Sequence, residues 1–279
     1  MSFAPIIPAS GVLGFKLLTR TEATQREVFN RQPEITRDVA YFNEKIADVK
    51  TAEDLVSDRR LFKVALGAFG LDDEIDKRAY MRKILDEGSE DSEAFANRLV
   101  DPRYVEFAKA FGFGDSGGAR TGEVGFAARI STAYEDRQFE IAVGDQNESL
   151  RLALNFRREI KDYASAADPD GTAWFSVMGD VPMRTVFEGA FGLSSSFGQL
   201  DIDRQQSELR RFNAREFGST SLEVFKDDAM VEKAITRFLI RRSIEEGPSA
   251  TTPGFGALTL LQGGVGPVGA QNLFLSGLI

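Results

Sequence analysis

The sequence has no cysteine and no histidine among its 279 residues. Without thiols there can be no disulfide, thiolate zinc centre or cysteine nucleophile. Without imidazole, the usual general base near neutral pH and the commonest metal ligand are missing. A metal site would have only carboxylates and carbonyls to offer, a donor set that suits Mg²⁺ or Ca²⁺. Basic charge is in deficit, with 34 Lys and Arg against 43 Asp and Glu and a net charge of −9. An acidic surface repels phosphate backbones, so nucleic acid is not an expected partner. No window approaches eighteen unbroken apolar residues, so no membrane span is expected. Met1 to Thr19 lacks a basic start, and Pro5 and Pro8 interrupt its apolar run, which does not fit a cleaved secretory signal. The absence of disulfides leaves the compartment open.

Phenylalanine is abundant, with 23 residues against one Trp and five Tyr. It buries a large ring with no polar atom to satisfy, which suits helix–helix cores and interfaces equally. Apolar residues make up 42% of the chain and charged residues 28%, enough for a packed core. The spacing is helical through most of the chain. Ile35, Val39, Phe42, Ile46 and Val49 share one face. Thr51-Ala52-Glu53-Asp54 reads as a capping box. Asp101-Pro102 reads as an N-cap and first helical residue. Ser92 is a candidate cap for a helix carrying Phe95 and Leu99. Residues 130–166 form the longest helical stretch, with Gly144 placed to kink or divide it. Asp168-Pro169-Asp170-Gly171 is a turn. Two further helices are expected over residues 201–217 and 221–245.

The two ends differ from this. Residues 1–20 combine Pro5, Pro8, Gly11 and Gly14 with apolar side chains and read as an arm without a long helix. From Gly247 the chain is rich in Gly and Pro and almost uncharged, yet apolar. Both ends are too apolar to be simple solvated tails.

Gly67-Ala68-Phe69-Gly70-Leu71 recurs as Gly189-Ala190-Phe191-Gly192-Leu193, an offset of 122 (67 to 189). Phe42 to Ile46 aligns with Phe156 to Ile160 at an offset of 114 (42 to 156), and Asp101 to Glu106 with Asp227 to Glu232 at 126 (101 to 227). Three blocks in order suggest duplication of a helical unit, with Phe42, Phe69, Phe156 and Phe191 at equivalent core positions. The expected organisation is an arm over 1–20, a first helical unit over 21–114, a Gly-rich connector over 115–129, a second unit over 130–246 and an apolar tail over 247–279.

Motifs of chemistry are weak. Gly112-Phe113-Gly114-Asp115-Ser116-Gly117 fits a dinucleotide fingerprint as text, but a helix rather than a strand precedes it. Gly264 to Gly269 fails for the same reason, and Pro267 lies inside it. Asp72-Asp73-Glu74-Ile75-Asp76 lacks the Gly and Glu of a calcium loop, since Lys77 and Lys83 stand there. A carboxylate cluster at a helix start explains it, and also Asp201 and Asp203. Ser194-Ser195-Ser196 has no histidine to activate it. The Arg59-Arg60, Arg157-Arg158, Arg210-Arg211 and Arg241-Arg242 pairs are interleaved with acids and read as ion-paired helix faces.

Several blocks resemble an uncharacterised alphaproteobacterial family, a domain of unknown function. They include the Ser2 to Pro8 arm, Leu55 to Leu61, Ala65 to Leu71, Ala96 to Leu99, Ala108 to Gly114, Arg137 to Glu140 and Trp174 to Gly179. The resemblance covers roughly residues 1–245 and implies association with flagellar gene clusters. It supplies no catalytic residues. Exported axial subunits also lack Cys and a cleaved signal, although they pair heptad-bearing terminal helices that these Gly- and Pro-rich ends do not encode.

The expectation is an all-α protein of two related helical halves with irregular apolar ends, neither an enzyme nor dependent on a cofactor. Its role would be structural or in assembly at the flagellum or basal body, with flagellar components or further copies of itself as partners. The alternative is a cytoplasmic adaptor or export chaperone that holds a client in a Phe-lined groove. The residues expected to meet partners are Phe3, Ile6, Ile7 and Phe15 in the arm, and Phe255, Leu258, Leu260, Leu273, Phe274 and Leu275 in the tail.

Overall fold

Residues 3–247 are described by a computed structural model, and helix is the regular structure found among them. An irregular stretch, Phe3 to Ser10, leads into α1 (Gly11–Asn30). Helix α2 (Pro33–Lys45) opens on proline, whose fixed φ suits a first helical turn. The expected capping box is present at α3 (Ala52–Ser57), where Thr51 and Asp54 satisfy each other's backbone N–H. Asp58 ends α3 and opens α4 (Arg59–Ala68), accepting from the N–H groups of Arg60 and Leu61. Its other oxygen accepts the Tyr41 hydroxyl at 2.6 Å, which ties α2 to this junction. Helices α5 (Arg78–Glu87) and α6 (Arg103–Phe111) complete the first group.

Then follow α7 (Phe126–Gly144), α8 (Glu148–Ala164), α9 (Thr172–Gly179), α10 (Val181–Phe191), α11 (Ile202–Phe217) and α12 (Asp228–Glu246). Asn147, Asp180, Asp201 and Asp227 cap α8, α10, α11 and α12 with their side chains. Each cap satisfies backbone donors that the helix itself leaves orphaned.

Helix α4 lies across α7 and α2, and α10 lies across α12 and α8. The adjacent helices α7 and α8 join these two groups, while α1 touches α7, α8 and α12. Each group has its own aromatic cluster. Phe69, Phe107, Phe111, Phe113 and Phe126 stack in the first. Trp174, Phe187, Phe156, Phe225, Phe217 and Phe191 stack in the second, mostly edge to face. Such contacts add about 0.5–1.5 kcal/mol per pair beyond the area they bury.

The structure corrects several boundaries. Helix begins at Gly11, so the arm is Phe3 to Ser10 rather than residues 1–20. Both glycines serve close contacts here. A Cβ on Gly14 would collide with the Ala9 carbonyl, and Gly11, at φ +60°, lies against Ser243. Helix α7 starts inside the expected connector 115–129 and packs on α4 and α2. Gly144 does divide the long stretch, ending α7. Ser92 opens no α-helix; a single 3-10 turn, Phe95–Arg98, follows it. The apolar tail from residue 248 onward lies outside the described residues.

Candidate functional site

The repeated pentapeptide proves to be the end of a helix laid against an arginine. At α4, a Cβ on Gly67 would stand 2.7 Å from the Tyr134 ring, so only glycine lets α7 come this close. The next glycine, Gly70, has φ +67° and lies under Arg137 and Arg103. Arg137 Nε donates to the Ala68 carbonyl at 2.9 Å, and Arg103 Nη1 donates to the Gly70 carbonyl at 2.5 Å. Two cations thus cover carbonyls that the helix leaves unpaired, at its negative end.

The second pentapeptide is built alike. A Cβ on Gly189 would stand 2.7 Å from the Phe238 ring, and Gly192, also at φ +67°, lies under Arg241. Arg237 Nε donates to the Ala190 carbonyl at 3.4 Å. Toward α10, therefore, α12 plays the part that α7 plays toward α4. This differs from the third sequence block, which pairs the start of α12 with α6.

Where α1, α7 and α8 meet, charges are interlocked. Arg158 forms a two-pronged pair with Glu140, both bonds at 2.8 Å, and also contacts Glu159. Arg137 Nη2 reaches Glu159 at 2.5 Å. Arg26 on α1 pairs with Glu22 and Asp136, and Arg157 pairs with Glu22. Burial opposes charge on Arg158, but its contacts with Glu140 and Glu159 prevail and raise its pKa. Arg137 goes the other way. Burial lowers its pKa and Arg158 adds repulsion, outweighing the attraction of Glu159 and Glu140.

Arg137 and Glu140 of this network line a cleft of about 700 Å³, together with the residues just after α4 and with parts of α6, α8, α10 and α12. Asn155 on α8 lines the cleft at 4% exposure, and its buried Oδ1 has no hydrogen-bond partner. Close by, Asp180 caps α10 through the Met183 N–H and accepts the Tyr163 hydroxyl at 2.9 Å. Burial raises the Asp180 carboxyl above its ordinary value, with those two donors pulling it back.

A second feature is the groove that holds the arm. Three glutamine side chains grip the arm's backbone. Gln32 Oε1 accepts the Phe3 N–H at 3.0 Å, Gln25 Oε1 accepts the Ile6 N–H at 2.6 Å, and Gln25 Nε2 donates to the Ile6 carbonyl at 3.2 Å. Gln146 Nε2 donates to the Pro5 carbonyl at 2.7 Å. A cavity of about 340 Å³ beside the arm is lined by Phe3, Phe29, Ile35 and Gln138 among others.

The residues expected to meet partners divide accordingly. Phe15 is 3% exposed and belongs to the core, so it is not a partner contact; α1 turns it inward together with Leu18. Phe3 and Ile7 are half-buried against the core, and Ile6 is 64% exposed. Phe255, Leu258, Leu260, Leu273, Phe274 and Leu275 lie outside the described residues. Phe42, Phe156 and Phe191 are buried, while Phe69 is partly covered. The text match at Gly112 to Gly117 is a structural loop, in which Asp115 accepts the N–H groups of Ser89 and Glu90.

Sequence reasoning missed Gln25, Glu140 and Asn155. Their signal was there, since each is a polar residue placed among inward-facing apolar ones. Gln25 lies between Leu18 and Phe29 on the inner face of α1.

The fold and these features define a class: an all-helical body with two arginine-covered helix ends and an apolar terminal segment held in a groove. The chain belongs to the family described as Protein of unknown function (DUF1217), which matches residues 68–231 and so takes in most of the first pentapeptide and all of the second. It is also similar to the X-ray structure of protein AGR_C_984 from Agrobacterium tumefaciens. That likeness has a TM-score of 0.69 at 29% identity and covers 85% of this chain and 94% of the other. No curated protein matches the sequence. Among the described residues, no helix is long and apolar enough to cross a membrane.

Proposed function

We propose that this is a non-enzymatic structural or assembly protein, associated with the bacterial flagellum, that joins protein partners through its apolar ends. The observation that carries the reading is the arm. Phe3 to Ser10 is an apolar peptide whose backbone is held largely by glutamine side chains. Side-chain amides read any extended backbone, so a partner's segment can be held in the same way. Ile6 is left facing outward, where a neighbour can cover it. The flagellar part of the proposal rests on the resemblance of the sequence blocks. Likewise, the matched pentapeptide–arginine arrangements support, as a proposal, a body of two related halves.

The adaptor alternative needs phenylalanines on a groove wall. Phe111, Phe126, Phe156, Phe187 and Phe225 are instead stacked inside the two clusters, and Phe3 and Phe29 line the cavity beside the arm, which supports the structural reading. Fractionation of motile cells tests the proposal. The tagged full chain is expected to co-purify with basal bodies or filaments, and a chain lacking residues 1–9 is expected to lose that association. A full chain that remains in the soluble fraction, bound to one client, would establish the adaptor instead.

A further inference from the structure

We propose that the 700 Å³ cleft binds a carboxylate carried on an apolar body, with the charged end held by Arg137, Asn155 and Arg242 and the body lying against Ile141, Leu152 and Val181. The site combines cavity, donors and an unmet polar group. Arg137 commits Nε to Ala68 and Nη2 to Glu159, which leaves Nη1 for the cleft. Glu159 is shared with Arg158, which also holds Glu140, so Arg137 is the less neutralised of the two arginines. Arg242 Nε is buried without a hydrogen-bond partner, 4.0 Å from Glu246, while its Nη1 reaches Glu245 at 3.3 Å.

Asn155 supplies the decisive observation. A buried amide with an unpaired atom is costly, and a site that tolerates one commonly uses it. The unpaired Oδ1 is an acceptor, so the group that can hold an anion is the NH₂ of the same cleft-lining amide. The charge of the ligand is bounded by the rim. Asp73, Asp145 and Glu148 stand exposed around the cleft and disfavour a multiply charged phosphate, whereas a single negative charge matches the one under-neutralised guanidinium. The walls set the rest. Leu152 is buried, while Ile141 and Val181 are exposed until something covers them.

Two sources carry this chemistry, a free apolar organic acid and the C-terminal carboxylate of a peptide. Titration calorimetry of the full chain separates them with four probes: hexanoate, hexanamide, and an Ala-Leu-Ile tripeptide with a free or an amidated C-terminus. Hexanoate or the free tripeptide is expected to bind saturably, and the better binder names the source. The two amides are expected to bind at least ten-fold more weakly. Asn155→Leu should keep or raise the melting temperature and weaken binding ten-fold or more, a split that a purely structural role does not give. Arg242→Gln, nearer the rim, should weaken binding without changing the fold. No saturable binding of either carboxylate at millimolar concentration overturns the proposal. Equal binding of acids and amides overturns it, as does tight binding of pyrophosphate with hexanoate ignored.

Discussion

At the scale of single residues, the glycines of the repeated pentapeptide carry the most specific demands. Gly70 and Gly192 sit at φ +67° with an arginine above each. A side chain there pays for a left-handed backbone, about 1–2 kcal/mol, and also displaces the guanidinium. Gly70→Ala and Gly192→Ala are each expected to lower stability by about 2 kcal/mol in urea unfolding, and an unchanged midpoint would refute the account. Asp180 gives a pH-dependent case. An acid held above its ordinary value binds its proton more tightly in the native state than in the unfolded chain. Stability therefore falls as the pH rises from the ordinary aspartate range through the raised value. Asp180→Asn keeps one oxygen to cap the Met183 N–H without the charge, and its NH₂ can donate to the Tyr163 hydroxyl oxygen. It should flatten that part of the stability–pH curve, whereas Asp180→Ala should cost about 1–2 kcal/mol through the lost cap. Matching pH slopes for wild type and Asp180→Asn would remove Asp180 as the cause.

At the scale of elements, charge pairs differ by where they lie. Glu140 is 5% exposed and holds Arg158 between α7 and α8. Removing one partner of a buried pair leaves the other uncompensated, so Glu140→Gln is expected to cost about 3–5 kcal/mol. The Arg31–Glu27 pair on α1 is exposed on both sides, and Glu27→Gln should change stability by less than about 0.5 kcal/mol. Comparable losses in the two variants would show that the interlocked charges add nothing beyond a surface pair. Much of this level was legible in the sequence. The Thr51–Asp54 box, the Gly144 break and the Asp168 turn follow from local rules, because caps and breakers act within one helical turn. The arm's length was misread because Gly11 and Gly14 look like helix breakers. Their glycines instead admit Ser243 and the Ala9 carbonyl, contacts that a linear reading cannot show.

At the scale of the molecule, α1, α7 and α8 decide whether the two aromatic clusters act together. Helix α1 reaches α7, α8 and α12, and its Arg26 and Glu22 join the central charge network. The clusters are thus expected to unfold in a single cooperative transition, with calorimetric and van't Hoff enthalpies equal. Phe111→Ala in the first cluster and Phe156→Ala in the second should each cost about 3–5 kcal/mol and lower the same single transition. Two separate transitions would mean that the halves are independent domains.

The sequence by itself determined the fold class, several helix limits and the recurring glycine motif. Helical periodicity, caps and turn residues are encoded within a few neighbouring positions. Only the tertiary structure decided which helices meet, and that choice brings Arg137 over Gly70, Glu140 onto Arg158 and Asn155 into a cleft. Burial, charge pairing and shared cavities depend on residues far apart in the chain, and their cost or benefit exists only once the helices have packed.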